Sequence, residues 1–398
     1  MIKANFHRKK LDNGITVIFE KRKIPVVAVA TSINFGAQYE SEKVKGISHF
    51  IEHLVFKGTK KRNVKEIAGQ VENKGGIINA FTAEEATCYW NKLPSKHFKL
   101  GVDISRDLVL NPLFEKKALE RERKVILEEI KMYHDNPKAH VFEKIKEMLY
   151  ERPFSLSIMG TAETVLRLSR EKIIDLHKAI YSTNNMILSV VGDADWEEVL
   201  REAGKFPKSV KEVREIPIIP KNDSLIEKRK GIDQAHEVIG FHMPKLIDKN
   251  RYCAEIFSSI LGGGMSSRLF QEVREKRALC YTIGSNLEQS KDYSYCIIYA
   301  GTTKDKVPLI KQLILKEIKK LRNLKKPDFE EAKERLLGLR QISKEKCDST
   351  MIELLQEELG GNAGKYYDYE EGISKVRLKK FQEMSRIKGY SFVALVPG

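Results

Sequence analysis

The segment with the clearest chemical signature is His49-Phe50-Ile51-Glu52-His53. Residues four positions apart lie on one face of an α-helix, so the imidazoles of His49 and His53 can bind a single metal ion. Histidines at this spacing are typical zinc ligands, with each nitrogen about 2 Å from the metal. Glu52 lies on the flank of the same face, where its carboxylate can reach a water on that metal. The simpler alternative is two surface histidines on an amphipathic helix.

A third ligand is needed, because a catalytic zinc ion usually has three protein ligands and one water. A long, highly charged helix is predicted over 115–134, and Leu119, Glu122, Ile126, Glu129 and Tyr133 follow one stripe of it. A carboxylate on a packed face needs a partner, and a metal ion is one of the few that suffices. Glu122 and Glu129 are therefore the candidates, one as ligand and one as support for a histidine. The spacing does not choose between them, and a fully solvated charged face is the alternative.

The elements that must position these residues follow from hydrophobic patterning. Apolar residues at helical spacing predict a helix over 46–56. A turn that leads into a strand is predicted at 11–19, strands at 26–34 and 186–191, and one or two strands at 77–90. The alternation of strands and helices indicates a mixed α and β fold. Both halves of the chain begin with strand patterns and end in a strand, so a duplicated domain is expected.

Composition limits the class of protein. The 398 residues are 41% hydrophobic, which excludes a wholly disordered chain. The net charge of +16 invites a nucleic-acid hypothesis, but the basic residues alternate with acidic ones and no nucleic-acid module is recognisable. The five scattered cysteines include no C-x-x-C pair, which favours a reducing compartment over a disulfide framework. With no signal peptide or membrane-length apolar run, we expect a cytoplasmic protein without nucleic-acid or membrane partners.

The metal motif, followed by Glu129 within the segment 125–130, resembles the pitrilysin (insulinase) family of zinc peptidases. The similarity extends over essentially the whole chain and is to the short members, such as the mitochondrial processing peptidase beta subunit and bacterial processing-protease-like proteins. The resemblance implies that Glu129 joins His49 and His53 as the third ligand of one zinc ion per chain. It also implies that Glu52 is the general base and that Glu122 supports the site and its activity.

Two further stretches share this resemblance. The stretch 75–82 is similar to the family's substrate-binding edge strand, in which a peptide adds as a strand through main-chain hydrogen bonds. The residues implied to bind substrate there are Asn79, Ala80 and Phe81. In the second half, a glycine run at 262–264 leads to Arg274 and Tyr281, which the resemblance implies hold a substrate carbonyl and help stabilise an oxyanion. An ordinary edge strand and a surface Arg and Tyr are the alternatives.

The resemblance also implies an architecture and a function. We expect two structurally similar halves, each a mainly antiparallel sheet packed with helices, that form a clamshell around the active site. The expected zinc-binding catalytic domain is 1–212, the linker 213–225, and the homologous domain with the substrate-binding Arg and Tyr 226–398. The expected activity is that of a zinc-dependent metalloendopeptidase that cleaves peptides or unfolded segments within an enclosed chamber. We expect a homodimer, or a heterodimer with a related subunit. The alternative to the peptidase activity is the role of a non-catalytic peptide-binding subunit in a heteromeric peptidase.

Overall fold

The structure is a computed structural model that describes residues 5–398, and these residues divide into two compact units. Unit 1 contains the chain as far as Ile130, with Ser157–Pro217 and Ser343–Tyr366. Unit 2 contains Lys131–Leu156, Ile218–Ile342 and Tyr367–Gly398. The chain passes from one unit to the other several times, and one of these points, between Pro217 and Ile218, lies inside the predicted linker. The division into 1–212 and 226–398 stays a prediction, and it did not include the segment that each unit takes from the other half of the sequence.

Strands and helices alternate along the chain. The strands are β1 Asn5–Lys10, β2 Thr16–Lys21, β3 Val26–Ile33, β4 Ile77–Thr82, β5 Thr87–Pro94, β6 Met186–Gly192, β7 Ser224–Arg229, β8 Ala235–His242, β9 Cys280–Gln289, β10 Ser294–Thr302 and β11 Ser391–Pro397. The helices of the first half are α1 Ile47–Val55, α2 Val64–Glu72, α3 Phe98–Leu110, α4 Lys116–Asp135, α5 Pro137–Leu149, α6 Ala162–Arg167, α7 Arg170–Ile180 and α8 Trp196–Ala203. Those of the second half are α9 Arg251–Gly262, α10 Val307–Lys320, α11 Lys326–Ser343, α12 Cys347–Leu359, α13 Tyr369–Lys375 and α14 Leu378–Met384.

The two sheets have the same topology. The sheet of unit 1 has the order β1-β2-β6-β3-β5-β4, and that of unit 2 the order β7-β11-β8-β10-β9. Without β1, both sheets place their strands in the chain order first, fifth, second, fourth, third. In both, the first and fifth strands pair in parallel and the other neighbours pair antiparallel. The expectation of two similar halves, each with a mainly antiparallel sheet and helices, is confirmed.

Both faces of each sheet are covered by helices, which explains why the central strands are almost entirely buried and mainly apolar. Every residue of β6 is buried, and so are all but the first of β3. In unit 1, α3 packs on β3 and β5, whereas α12, from the C-terminal half of the sequence, packs on β3 and β6. A sheet covered on both faces needs near-continuous hydrophobic strands rather than alternating ones.

Unit 2 takes a helix from the N-terminal half in the same way. Helix α5 packs on β8 and β11, and its Val141, Ile145 and Leu149 share a buried cluster with residues of both strands. At Gly240 on β8 a Cβ atom would lie 2.9 Å from Leu149 and 3.0 Å from Ile145, so a glycine allows the helix to approach the sheet closely.

One detail of the predicted helical stripe is wrong. Leu119 and Ile126 of α4 are buried, but Tyr133 is 39% exposed. The helix leaves unit 1 at Ile130, so its last turn no longer packs on the core that buries the earlier part of the stripe. Within residues 5–398, no helix is long and apolar enough to cross a membrane.

Candidate metal centre and active site

The start of α1 is held by a buried carboxylate and a close backbone contact. Gly46 precedes the helix with φ +92°, and a Cβ atom there would lie 2.3 Å from the carbonyl oxygen of Met159. The side chain of Glu40 is 1% exposed and accepts hydrogen bonds from the amides of Gly46 (2.8 Å) and Ser48 (2.7 Å). Burial raises the pKa of Glu40, and the nearby Lys45 ammonium opposes that effect. These contacts fix the start of α1, the helix that carries His49, Glu52 and His53.

Three potential metal ligands meet between α1 and α4. His49, His53 and Glu129 offer ligand atoms that all lie within 4.8 Å of one another. Oε2 of Glu129 lies 3.7 Å from Nε2 of His49 and 3.5 Å from Nε2 of His53. These distances are long for hydrogen bonds but close to the ~3.4 Å that separates neighbouring ligands of a tetrahedral zinc ion. The donor set and its spacing therefore fit a zinc ion.

Glu122 lies behind this cluster rather than in it. Its Oε2 is 3.3 Å from Nδ1 of His53, and its Oε1 is 3.0 Å from Nζ of Lys57. A carboxylate that holds the second ring nitrogen of a metal-binding histidine fixes the orientation of the imidazole and raises its basicity. Of the two carboxylates that the spacing left as alternatives, Glu129 is the one beside both histidines and Glu122 the one that supports His53.

Burial and charge act differently on the three ligand side chains. Burial and the neighbouring His53 lower the pKa of His49 to about 4, which keeps its imidazole in the neutral form that a metal requires. Burial also opposes protonation of His53, but Glu129 and Glu122 outweigh it and raise the pKa of His53. The interaction with His53 lowers the pKa of Glu129 against the effect of burial. Nδ1 of His49 has no hydrogen-bond partner among the described residues, so no hydrogen bond at that nitrogen orients the ring.

Glu52 lies on the same helix, one residue before His53. The hydroxyl of Thr82, at the end of β4, donates a 2.6 Å hydrogen bond to its Oε2. Burial raises the pKa of Glu52, and the hydrogen bond from Thr82 acts in the opposite direction. A half-buried carboxylate with a raised pKa is suited to accept and return a proton.

The strand that carries Thr82 is at the edge of its sheet. Strand β4 pairs with β5 on one side, and among the described strands none pairs with its other side. Its backbone at Asn79, Ala80 and Phe81 therefore borders a free edge next to α1, whose Glu52 it contacts through Thr82. The amide of Ala80 already donates to Oδ1 of Asn79 at 2.8 Å.

Arg274 and Tyr281 lie together in unit 2. Arg274 belongs to a π-helical segment, Phe270–Glu275, and Tyr281 lies near the start of β9, which is also an edge strand. The guanidinium carbon of Arg274 lies 5.5 Å from the centroid of the Tyr281 ring, and that tyrosine is 79% exposed. The structure therefore brings these two predicted residues into contact, in the unit that does not contain the metal ligands.

The sequence reasoning missed three residues of this region. Lys57 lies two residues beyond the end of α1, so helical spacing does not place it, and nothing in the pattern indicated its contact with Glu122. Thr82 is part of a predicted strand, but nothing in the pattern indicated its contact with Glu52. Glu40 has no local signature, because it reaches the helix from outside it.

Comparisons with known proteins identify related families and proteins. Residues 16–162 match the family model described as insulinase (peptidase family M16), and residues 167–336 match the model of the peptidase M16 inactive domain. A protein of Rickettsia bellii, named an uncharacterized zinc protease, is 33% identical over 381 residues, which cover 93% of this chain and 91% of that protein. The uncharacterized zinc protease YmxG of Bacillus subtilis is 28% identical over 385 residues, covering 95% and 93% of the two chains.

Solved structures show the same fold. A protease from Helicobacter pylori superimposes with a TM-score of 0.90 at 21% identity, over 99% of this chain and 100% of that one. A peptidase M16 inactive domain from Pseudomonas fluorescens gives a TM-score of 0.89 at 17% identity, over 99% and 98%. Because the two family models together span most of the sequence and the relatives align over nearly all of it, the chain belongs to the insulinase family of peptidases, M16.

Proposed function

We propose that this protein is a zinc-dependent metalloendopeptidase that hydrolyses peptides or unfolded protein segments. The observation that carries the proposal is the cluster of His49, His53 and Glu129, with the carboxylate of Glu52 on the same helix as the two histidines. Relatives over more than nine-tenths of the chain are named zinc proteases, which supports the same class of reaction.

His49, His53 and Glu129 are the residues that would hold the zinc ion. When bound, zinc supplies a Lewis acid that polarises a peptide carbonyl and makes water more acidic. Glu52 takes up the proton that the attacking water loses and delivers it to the leaving amine. The raised pKa of Glu52 favours the uptake of the proton from water. The hydrogen bond from Thr82 keeps the carboxylate in place between this uptake and the delivery to the amine.

The peptide would be held by the free edge of β4. An extended chain can pair with this edge through main-chain hydrogen bonds, which recognise any sequence. Because the side chain of Asn79 already accepts from the amide of Ala80, that side chain has to turn away before a peptide carbonyl can take its place. We propose Arg274 and Tyr281 as additional donors to the oxygens of the peptide.

The experiment that tests the proposal compares Glu52→Gln with Glu128→Gln, a control variant that changes an exposed carboxylate on α4. Each protein is analysed for bound zinc and for cleavage of a quenched peptide mixture by mass spectrometry. We expect Glu52→Gln to keep stoichiometric zinc and to lose at least about 10²-fold in cleavage, because it removes the proton acceptor. Glu128→Gln keeps both zinc and cleavage.

Two results would contradict this assignment. Full cleavage by Glu52→Gln would remove the general base from the mechanism. A wild-type protein that binds zinc and peptide but cleaves nothing would instead support the non-catalytic peptide-binding subunit.

We also propose that the chain works as a homodimer. One chain carries both the candidate metal ligands and the Arg274–Tyr281 pair, so no second, different subunit is needed to supply them. Addition of a related chain that increases cleavage would favour a heterodimer.

A further inference from the structure

We propose that Phe270 is a positioning residue that holds the Arg274 guanidinium ready to bind a peptide. The inference rests on the proposed function, because it gives Arg274 a peptide ligand. The guanidinium carbon of Arg274 lies 4.5 Å from the centroid of the Phe270 ring and 5.5 Å from that of Tyr281. Both distances are within the range of a cation–π interaction, so two aromatic rings hold one cation.

The neighbouring acidic side chains leave Arg274 available. Glu272 is held by Lys276 at 2.5 Å and by Arg277 at 2.7 Å, and these contacts lower the pKa of Glu272 to about 2. Glu275 is the carboxylate nearest to Arg274, at 3.9 Å, which is beyond hydrogen-bond distance. The guanidinium of Arg274 therefore donates no hydrogen bond to another described residue.

This arrangement differs from an ordinary surface ion pair. The aromatic rings fix the position of the cation while they use none of its N–H donors. A guanidinium with free donors binds carbonyl or carboxylate oxygens, which an extended peptide supplies along its backbone. The π-helical turn over Phe270–Glu275, with the amide of Lys276 bonded to the carbonyl of Gln271 at 3.0 Å, places both residues on one short segment. Such turns are rare and frequently occur at functional sites.

Phe270 also has a packing role, which the test has to separate from this one. Its ring packs partly buried against the core of unit 2. Leucine at this position retains apolar packing but has no ring, whereas tyrosine retains the ring. A matched control is Phe142 on α5, a half-buried phenylalanine of the same unit whose ring lies 5.7 Å from the ammonium of Lys138.

The experiment measures the Kd of a fluorescein-labelled casein fragment by anisotropy, with all variants made in the zinc-loaded Glu52→Gln protein so that cleavage does not intervene. We expect Phe270→Leu to weaken binding about fivefold, the equivalent of about 1 kcal/mol, because one of two cation–π contacts is lost. Phe270→Tyr restores the Kd to within twofold of the parent protein, and Phe142→Leu does not change it.

A double-mutant cycle completes the test. If Phe270 acts through Arg274, Phe270→Leu has no further effect on the Kd in an Arg274→Ala background. Equal Kd values for the leucine and tyrosine variants, or a full fivefold loss in the Arg274→Ala background, would overturn this inference alone. A wild-type protein that binds the fragment and zinc but does not cleave would overturn the proposed peptidase function and leave the inference standing. No binding by any variant would overturn both.

Discussion

Glu237 provides a prediction that can be worked out quantitatively. It lies in the middle of β8, where its neighbours on the adjacent strands are Ala300 and Ala394. Its side chain is fully buried, and neither carboxylate oxygen has a hydrogen-bond partner among the described residues. Burial raises the pKa of Glu237 to about 8, although the ammonium of Lys311 acts in the opposite direction. That ammonium lies 4.0 Å from the centroid of the Phe392 ring.

The raised pKa implies that stability falls as the pH rises. The unfolded chain releases this proton near pH 4.5, whereas the folded protein keeps it up to about pH 8. The contribution of Glu237 to the free energy of unfolding is therefore fully present below pH 4.5. It declines between pH 4.5 and 8 and does not change further above pH 8. The difference of 8 − 4.5 = 3.5 in pKa corresponds to about 5 kcal/mol as an upper limit.

Glu237→Gln removes this ionisation and keeps nearly the same shape. We expect the variant and the wild type to be similar in stability at pH 5, and the variant to be more stable by at least about 2 kcal/mol at pH 8. The assay is urea-induced unfolding followed by circular dichroism, because both tryptophans, Trp90 and Trp196, lie in unit 1 and do not report on unit 2. Glu334→Gln, which changes an exposed carboxylate of α11 in unit 2, controls for the loss of one negative charge.

The result that would refute this reasoning is a stability difference between Glu237→Gln and wild type that stays constant from pH 5 to pH 8. A constant difference would mean that the carboxyl group ionises alike in the folded and unfolded states, and therefore that it is not isolated in the core. A pH-dependent difference of the same size in Glu334→Gln would assign the effect to net charge.

Three further predictions concern the candidate site and the assembly. Glu122→Gln weakens zinc binding about 10- to 100-fold in a chelator competition, because His53 loses its charged support, and an unchanged affinity would remove Glu122 from this role. Glu40→Ala leaves two buried amides at the start of α1 without an acceptor. We therefore expect a loss of at least about 2 kcal/mol in stability, together with weaker zinc binding. Stability and zinc affinity equal to those of the wild type would contradict this prediction. Light scattering after gel filtration gives twice the chain mass of 45.7 kDa if the homodimer forms, and a single chain mass would exclude it.

Much of the candidate metal site could be predicted because its geometry is local. His49 and His53 meet on one face of a helix as soon as that helix forms, and Glu52 accompanies them. The helix over 46–56 and the long charged helix were both predicted, and the structure has them as α1 and α4. The duplication of the domain was also indicated, in outline, by the strand patterns at the ends of the two halves, whereas the strand order came only from the structure.

Other features depended on contacts between residues far apart in the sequence. Periodicity put Glu122 and Glu129 on the same stripe, and the packing of α4 against α1 places Glu129 beside both histidines and Glu122 beside the far nitrogen of His53. The exposure of Tyr133 has the same origin, because the stripe continues along the helix but the core of unit 1 does not.

The sequence by itself determined the residue types that can bind zinc, their spacing on one helix and the mixed fold class, because each depends on interactions within one or two turns or on hydrophobic periodicity. The tertiary structure decided which carboxylate completes the cluster and that Glu40 and Lys57 support it. It also decided where two helices pack: α5, from the first half of the sequence, covers the sheet of unit 2, and α12, from the second half, covers the sheet of unit 1. Local patterns show that a helix has an apolar face, but only the folded chain determines which sheet that face covers.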